Sequence, residues 1–217
     1  MIVVIANHKG GVGKSTLTMN LAVAWQNAGL SVVVIEADPS IYTTSRWAED
    51  REAAGHGTVL VLKKDGKLKD ALRDLAGKYD VVLVDSAGKD SPEMRSALLA
   101  ADVLLIPTPM SQTDIDSSID MKKKIVDVAE EYNPSLVTAV VLSRVTTHPW
   151  STEAEDAREV LGEIFPHIMP TVIYDRKAYR NALNEGTSVV EGTDRKAAWE
   201  IEELAKQVKE MVDSGRN

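Results

Sequence analysis

An apolar, β-branched run, "IVVIA" (2–6), breaks into "NHKGGVGKST" (7–16) and then into a helix-forming stretch over 14–28. No other feature of the chain restricts its fold so tightly. Glycines at 10, 11 and 13 let backbone N–H groups turn inward, and a helix that starts at the loop's end adds its positive pole. The pattern G-x-x-x-x-G-K-[ST] of phosphate-cradling loops fails only at its first position, which is His8. Gly10, Gly11, Val12, Gly13 and Thr16 then form the cradle. Lys14 is placed to reach the β- and γ-phosphates of a nucleotide, and the Ser15 hydroxyl to hold Mg²⁺. Lys9 is a second lysine that the pattern does not require.

Further apolar runs follow: "SVVVIE" (31–36), "DVVLVD" (80–85), "DVLLIP" (102–107), "LVTAVVL" (136–142) and "IMPTVI" (168–173), with "TVLVL" (58–62) as a weaker, edge-like strand. Continuous apolarity is the mark of parallel strands covered on both faces. Helical stretches alternate with them near 41–54, 67–78, 92–101, 113–132, 151–164, 175–185 and 194–213. This rhythm predicts an α/β fold, a doubly wound and mainly parallel sheet of the P-loop NTPase type. No linker or repeat interrupts it, so residues 1–217 read as a single domain.

Two strand ends carry acids toward the loop. "VVVIEADP" ends with Glu36 and Asp38, which share one side of an extended strand. "DVVLVDSAG" ends with Asp85, the expected water-mediated holder of Mg²⁺, and Gly88 follows with an N–H for the γ-phosphate. Both converge on the crevice where open α/β sheets bind ligands.

Composition removes other chemistries. The 217 residues contain no cysteine, which excludes disulfides, thiolate metal sites and cysteine nucleophiles. His8, His56, His148 and His167 lack metal spacing. No apolar run reaches the length of a membrane span, and "MIVVIAN" has no basic leader region, so a cytoplasmic protein is expected. In the last helix Ala198, Ile201, Leu204, Ala205, Val208 and Met211 form an apolar stripe. Its polar face mixes glutamates with lysines, which favours packing on the sheet over binding to a membrane surface. The net charge of −8, from 25 basic and 33 acidic residues, leaves nucleic-acid binding to local patches. Two candidates are "MKKKI" (121–125) and "DRKAYR" (175–180), the latter flanked by Tyr174 and holding Tyr179.

"KGGVGKST", "TMNLAVAWQNAGLSVVVIEADPS" and "YDVVLVDSAG", followed by "AADVLLIPTPMSQTDI" and "ALNEGTSVVEG", resemble the ParA/MinD family of deviant Walker ATPases over nearly the whole chain. The chain looks most like the short partition members, with no N-terminal helix-turn-helix domain expected. The resemblance implies that Lys9 crosses a dimer interface to phosphates bound by the other subunit. It implies that Asp38 orients the attacking water and that Asp85 is the Walker B aspartate. It places adenine contacts after "VVLSR", at Arg144, and in the loop around Pro170–Asp175. The family's D-x-D-P-Q departs here to Glu36 and Ser40. The implied activity is Mg²⁺-dependent ATP hydrolysis, slow without a partner. The implied role is plasmid or chromosome partition. An ATP homodimer would bind nonspecific double-stranded DNA, with Arg176, Lys177 and Arg180 as candidate contacts. A ParB-type centromere-binding protein would stimulate it, and the protein would associate with the nucleoid and not with membrane. The alternatives are positioning of a protein cargo on the nucleoid, a MinD-like membrane-cycling division regulator, and a small-molecule ligase, which would not need Lys9.

Overall fold

In the computed structural model, which describes residues 1–38, 42–148 and 151–215, seven strands form one parallel sheet. They are β1 (Ile2–Ile5), β2 (Val32–Ala37), β3 (Leu60–Lys63), β4 (Val81–Ser86), β5 (Val103–Thr108), β6 (Val137–Leu142) and β7 (His167–Ile168). Their order is β3-β2-β4-β1-β5-β6-β7. Chain order reverses at β1, which lies between β4 and β5, so the crevice above its carboxyl end is the switch point of the sheet.

Alternation along each strand feeds two cores. Val3 and Ile5 point to one face, where they meet α1 (Lys14–Asn27), α2 (Thr43–Ala53), α8 (Lys177–Asn184) and α9 (Arg195–Gly215). Ile2 and Val4 point to the other. There lie α3 (Lys69–Ala76), α4 (Pro92–Leu98), α5 (Gln112–Met121), α6 (Asp127–Tyr132) and α7 (Glu153–Gly162). The doubly wound parallel sheet is as the sequence predicts. In α9, Ile201, Leu204 and Val208 are fully buried against this first core, so the stripe packs as expected.

Local chemistry sets the element ends. Pro92 opens α4 at its first position, and the Ser91 hydroxyl caps it by accepting from Met94 N at 3.1 Å. The predicted strand 168–173 shrinks to His167–Ile168, because Pro170 has no N–H to give the ladder. Beyond the proline the chain rejoins β6 where Ile173 N donates to Leu142 O at 2.9 Å, and a bridge between Val145 and Tyr174 follows. The predicted helix 113–132 contains a π turn at Lys122–Val126, which buries Ile125 and Val126 side by side. Ser40, and the start of the helix predicted from residue 41, lie outside the described residues.

Helix α2 is pinned at its far end by Gly186. A Cβ there would stand 2.6 Å from Arg51 N and 2.8 Å from Arg51 Cα, and the backbone φ is +66°. The buried Arg51 guanidinium completes the joint with two bonds to Glu191, at 2.6 and 2.8 Å. Gly186→Ala is therefore expected to destabilise the fold by about 2–4 kcal/mol through strain and overlap. Urea unfolding should show a lower midpoint at unchanged slope.

Candidate nucleotide site

The glycine loop is shaped from outside. Asn7, fully buried, donates from Nδ2 to Pro107 O (2.9 Å) and Ser118 Oγ (3.1 Å), and its Oδ1 accepts from Lys9 N (3.0 Å). From the end of β6, Ser143 Oγ donates to Val12 O and Arg144 Nη1 to Gly11 O, each at 2.9 Å. Gly11 and Gly13 hold φ of +76° and +105°, which a side chain would strain. No side chain caps the start of α1, so its first N–H groups face the crevice as anion donors.

Lys14 curls back over the loop, and its Nζ donates to Lys9 O at 2.9 Å. Burial pulls its pKa below the usual lysine value, against the opposing charges of Asp85 and Asp38. Lys9 goes elsewhere. Its ammonium sits 2.7 Å from Asp114 Oδ1 and donates to Thr113 Oγ1 at 3.0 Å, at the start of α5. It lines a polar cavity of about 620 Å³ with Ser111, Asp114 and Arg144. A neighbouring cavity of about 540 Å³, which shares Gly10, Gly11, Arg144 and Asp175 with the first, is lined by Lys14, Ser15, Thr16, Asp38 and Gly88 but not by Lys9.

The acids divide their work. Glu36 is buried, and its Oε1 accepts from Thr44 N at 2.8 Å while the Ser45 hydroxyl bonds Oε2. A carboxylate is thereby set against the positive end of α2. The Thr44 hydroxyl donates to Asp85 Oδ2 at 2.6 Å, which ties the same helix start to the second acid. Thus Glu36 faces α2, and Asp38 faces the nucleotide cavity.

Asp85 is buried, and burial pushes its pKa up to about 6. The Thr44 and Ser15 hydroxyls and the Lys14 charge hold it from rising further, while Glu36 adds to the rise. Its Oδ1 forms no hydrogen bond among the described residues. An orphaned carboxylate oxygen near a serine hydroxyl suits a hard cation. Among the described residues no group of three acids or histidines could hold a metal by itself. Ser15 and Asp85 therefore fit an ion such as Mg²⁺ that takes its remaining ligands from phosphate and water. Gly88 packs on the loop, because a Cβ would meet Gly10 Cα at 3.0 Å and Lys14 Nζ at 3.2 Å.

The far wall of the 540 Å³ cavity is formed by Ile173, Tyr174, Asp175, Tyr179 and Leu183, with Arg144 beside the loop. The loop expected to meet the base is thus present at its later residues, and Pro170 stands away from the cavity. Sequence pattern does not place Tyr179 and Leu183 at this wall, because only the fold brings α8 to it. The basic candidates on α8 are placed differently from the expectation. Arg176 Nε donates to the buried Glu200 at 2.6 Å, and Arg180 pairs with Asp175 at 2.6 Å. Both line the nucleotide cavity, whereas Lys177 faces solvent.

Residues 3–189 match the family model described as the CobQ/CobB/MinD/ParA nucleotide binding domain. The chain belongs to this family. It is similar to the maintenance of carboxysome distribution protein A of Gloeobacter kilaueensis, at 33% identity over 98% of this chain and 94% of that protein. It is similar to the protein ParA of Rhizobium radiobacter, at 27% identity over 82% of this chain and 80% of that protein. Among solved structures, the septum site-determining protein MinD of Pyrococcus horikoshii, complexed with Mg-ADP, superposes with a TM-score of 0.76 at 20% identity, covering 99% of this chain and 98% of that one.

Two outcomes are expected from this nucleotide-binding geometry. Gly88→Ala should raise the Kd for Mg-ATP at least about tenfold, or 1.4 kcal/mol, by pushing on Gly10 and Lys14. Calorimetry checks the affinity, and an unchanged urea midpoint shows that the fold is intact. For Asp85 the folded pKa lies above the unfolded one, so the native state holds the extra proton. Stability of the nucleotide-free protein should fall as pH rises from about 4 through 6. Asp85→Asn removes this penalty, worth on the order of 3 kcal/mol at pH 7.5 for the two-unit shift. The variant should exceed wild type in urea stability at pH 7.5 and lose that advantage near pH 4.

Proposed function

We propose that this protein is a Mg²⁺-dependent ATPase of the ParA type, an ATP-driven dimeric switch that positions a cargo over DNA. The observation that carries this reading is the placement of Lys9. A lysine adjoining the phosphate loop does not line the cavity that Lys14 lines but an open polar one next to it, held there by the Asp114 carboxylate. One lysine serves the phosphates of its own subunit and the other is left for a second subunit.

Each residue then has a part. Lys14 and the N–H groups of the loop and of α1 hold the β- and γ-phosphates. Ser15 and Asp85 would hold Mg²⁺, which would supply charge neutralisation of the phosphates. Asp38 orients the attacking water. Arg144, Tyr174 and Tyr179 border the base and ribose side. Lys9, released from Asp114, reaches phosphates in the partner subunit, so dimerisation depends on the γ-phosphate and loosens after hydrolysis. Catalysis of this kind is positioning and electrostatics, and a ParB-type partner protein would accelerate it.

The ATP dimer is proposed to bind nonspecific double-stranded DNA, which would place the protein on the nucleoid in the cytoplasm. The cargo is either a DNA replicon or a protein compartment. Similarity to a carboxysome distribution protein along nearly the whole chain supports the compartment, and similarity to a ParA protein supports the replicon. A membrane-cycling role has less support. No described helix is long and apolar enough to cross a membrane, and the apolar stripe of α9 is used in the core.

Lys9→Ala tests the reading. The variant should bind Mg-ATP with near wild-type affinity, because Lys14 is untouched, yet fail to form the ATP-dependent dimer and hydrolyse ATP at least about tenfold more slowly, a barrier rise of about 1.4 kcal/mol. An ATP-dependent dimer of this variant in light scattering would remove the cross-subunit role.

A further inference from the structure

Both basic segments that stand out in the sequence have two of their three basic side chains in ion pairs, which leaves only Lys123 in the one and Lys177 in the other without an ion pair among the described residues. In "MKKKI", Lys122 bonds Asp127 and Glu130, and Lys124 bonds Asp120. In "DRKAYR", Arg176 and Arg180 are paired with Glu200 and Asp175. A third basic segment, "KKDGKLK" at 63–69, behaves otherwise. Lys63, Lys64 and Lys67 are exposed, and none of them enters an ion pair among the described residues. Lys63 rests its ammonium 4.4 Å from the Tyr42 ring centroid, which leaves its charge available.

The segment is a built turn. Gly66 N donates to Glu93 Oε1 at 2.8 Å, and Leu68 N and Lys69 N donate to Ser96 Oγ at 2.8 and 3.1 Å. Leu68 is fully buried beneath it. The lysines are therefore presented from a fixed backbone, and less entropy is given up on binding than from a free loop. The nearby acids are Asp65, Asp70 and Glu93, of which Glu93 is engaged by the turn itself. Lys89 is close enough for its charge to act on Glu93. It lines the nucleotide cavity directly after Gly88, the residue packed on the phosphate loop. The turn also leaves the carboxyl end of β3, the end of the sheet at which the nucleotide crevice opens.

We propose that the β3–α3 turn, with Lys63, Lys64 and Lys67, is the surface that meets DNA phosphates, continued toward the nucleotide by Lys89. Point charges on flexible stems suit a row of phosphates, which asks for charge and spacing and not for a shaped pocket. In a chain of net charge −8, an unpaired cluster of this kind is where a polyanion can approach. This assignment rests on the DNA-binding part of the function proposed above, and it replaces the expectation of a footprint on residues 176–180.

The test uses the full-length protein with Mg-ATP, a random-sequence duplex and a salt titration followed by fluorescence anisotropy. The variant is Lys64→Gln with Lys67→Gln, which leaves the nucleotide cavity untouched. Each DNA phosphate that is no longer neutralised takes about 0.9 off the slope of log affinity against log salt. Two lysines in each of two subunits should flatten the slope by about 2 to 4 and weaken binding at least about tenfold for every sequence. ATP-dependent dimerisation and DNA-free hydrolysis should stay at wild-type level. A wild-type slope in the double variant would overturn this footprint and leave the DNA reading standing. A wild-type protein that ignores DNA in its ATP form would overturn the DNA reading and the footprint with it.

Discussion

A glycine loop has no side chains with which to hold its own shape, so its shape must be imposed from outside. Here the grip comes from three places. Asn7 anchors the loop's entry to the end of β5 and to α5. Ser143 and Arg144 reach from the end of β6 to the carbonyls of Val12 and Gly11. Gly88, from the end of β4, lies against Gly10 so closely that a methyl group would push the loop aside by a few tenths of an ångström. The loop follows β1, and β4 and β5 flank β1 in the sheet. Strand order thus delivers every group that shapes the cradle, and the donors of the cradle are preorganised before any phosphate arrives.

The charges around the loop are arranged at some cost, and the cost identifies the site. Lys14 is buried, enters no ion pair among the described residues and borrows a loop carbonyl. Asp85 is buried with one oxygen unbonded, and its pKa of about 6 reflects that burial. Strained titration at a cleft is a general mark of function. Glu36, by contrast, is fully used by the start of α2. Thr44 joins the two acids through its backbone N–H and its hydroxyl. The strand that leads to Asp38 already pairs with the strand that carries Asp85, and Thr44 adds a second tie, so a change at Asp85 has a direct route to α2.

Much of this was legible in the sequence because it depends on local pattern. Strands covered on both faces write themselves as apolar runs, and the strand–loop–helix passage at residues 2–28 has few other physical uses. What escaped was set by partners distant in sequence or by a single backbone group. Pro170 ended β7 early, because one missing N–H outweighs its apolar neighbours. Glu36 could be seen at a strand end, but nothing local said that it would turn to α2 while Asp38 turned to the cavity. Arg176 looked like surface charge until the fold brought Glu200 from α9 beside it. In the same way Asp114, which holds Lys9, lies on the far side of β4 and β5 in sequence and meets it only through the sheet. Basic composition alone cannot distinguish spent charge from available charge, whereas the pairing of each lysine can.

The central claim is that Lys9 belongs to the other subunit's phosphates. In its resting place Lys9, its side chain 40% exposed, is held by the Asp114 carboxylate and the Thr113 hydroxyl, a contact weak enough to be exchanged for a polyphosphate. The most direct measurement is a crystal structure of the protein with Mg²⁺ and a non-hydrolysable ATP analogue. The account predicts a two-fold dimer in which each Lys9 has left Asp114 and its Nζ stands within hydrogen-bond distance of phosphate oxygens cradled by the opposite loop. A nucleotide-bound protein in which Lys9 remains on Asp114, or bends to the phosphates of its own loop, would contradict it.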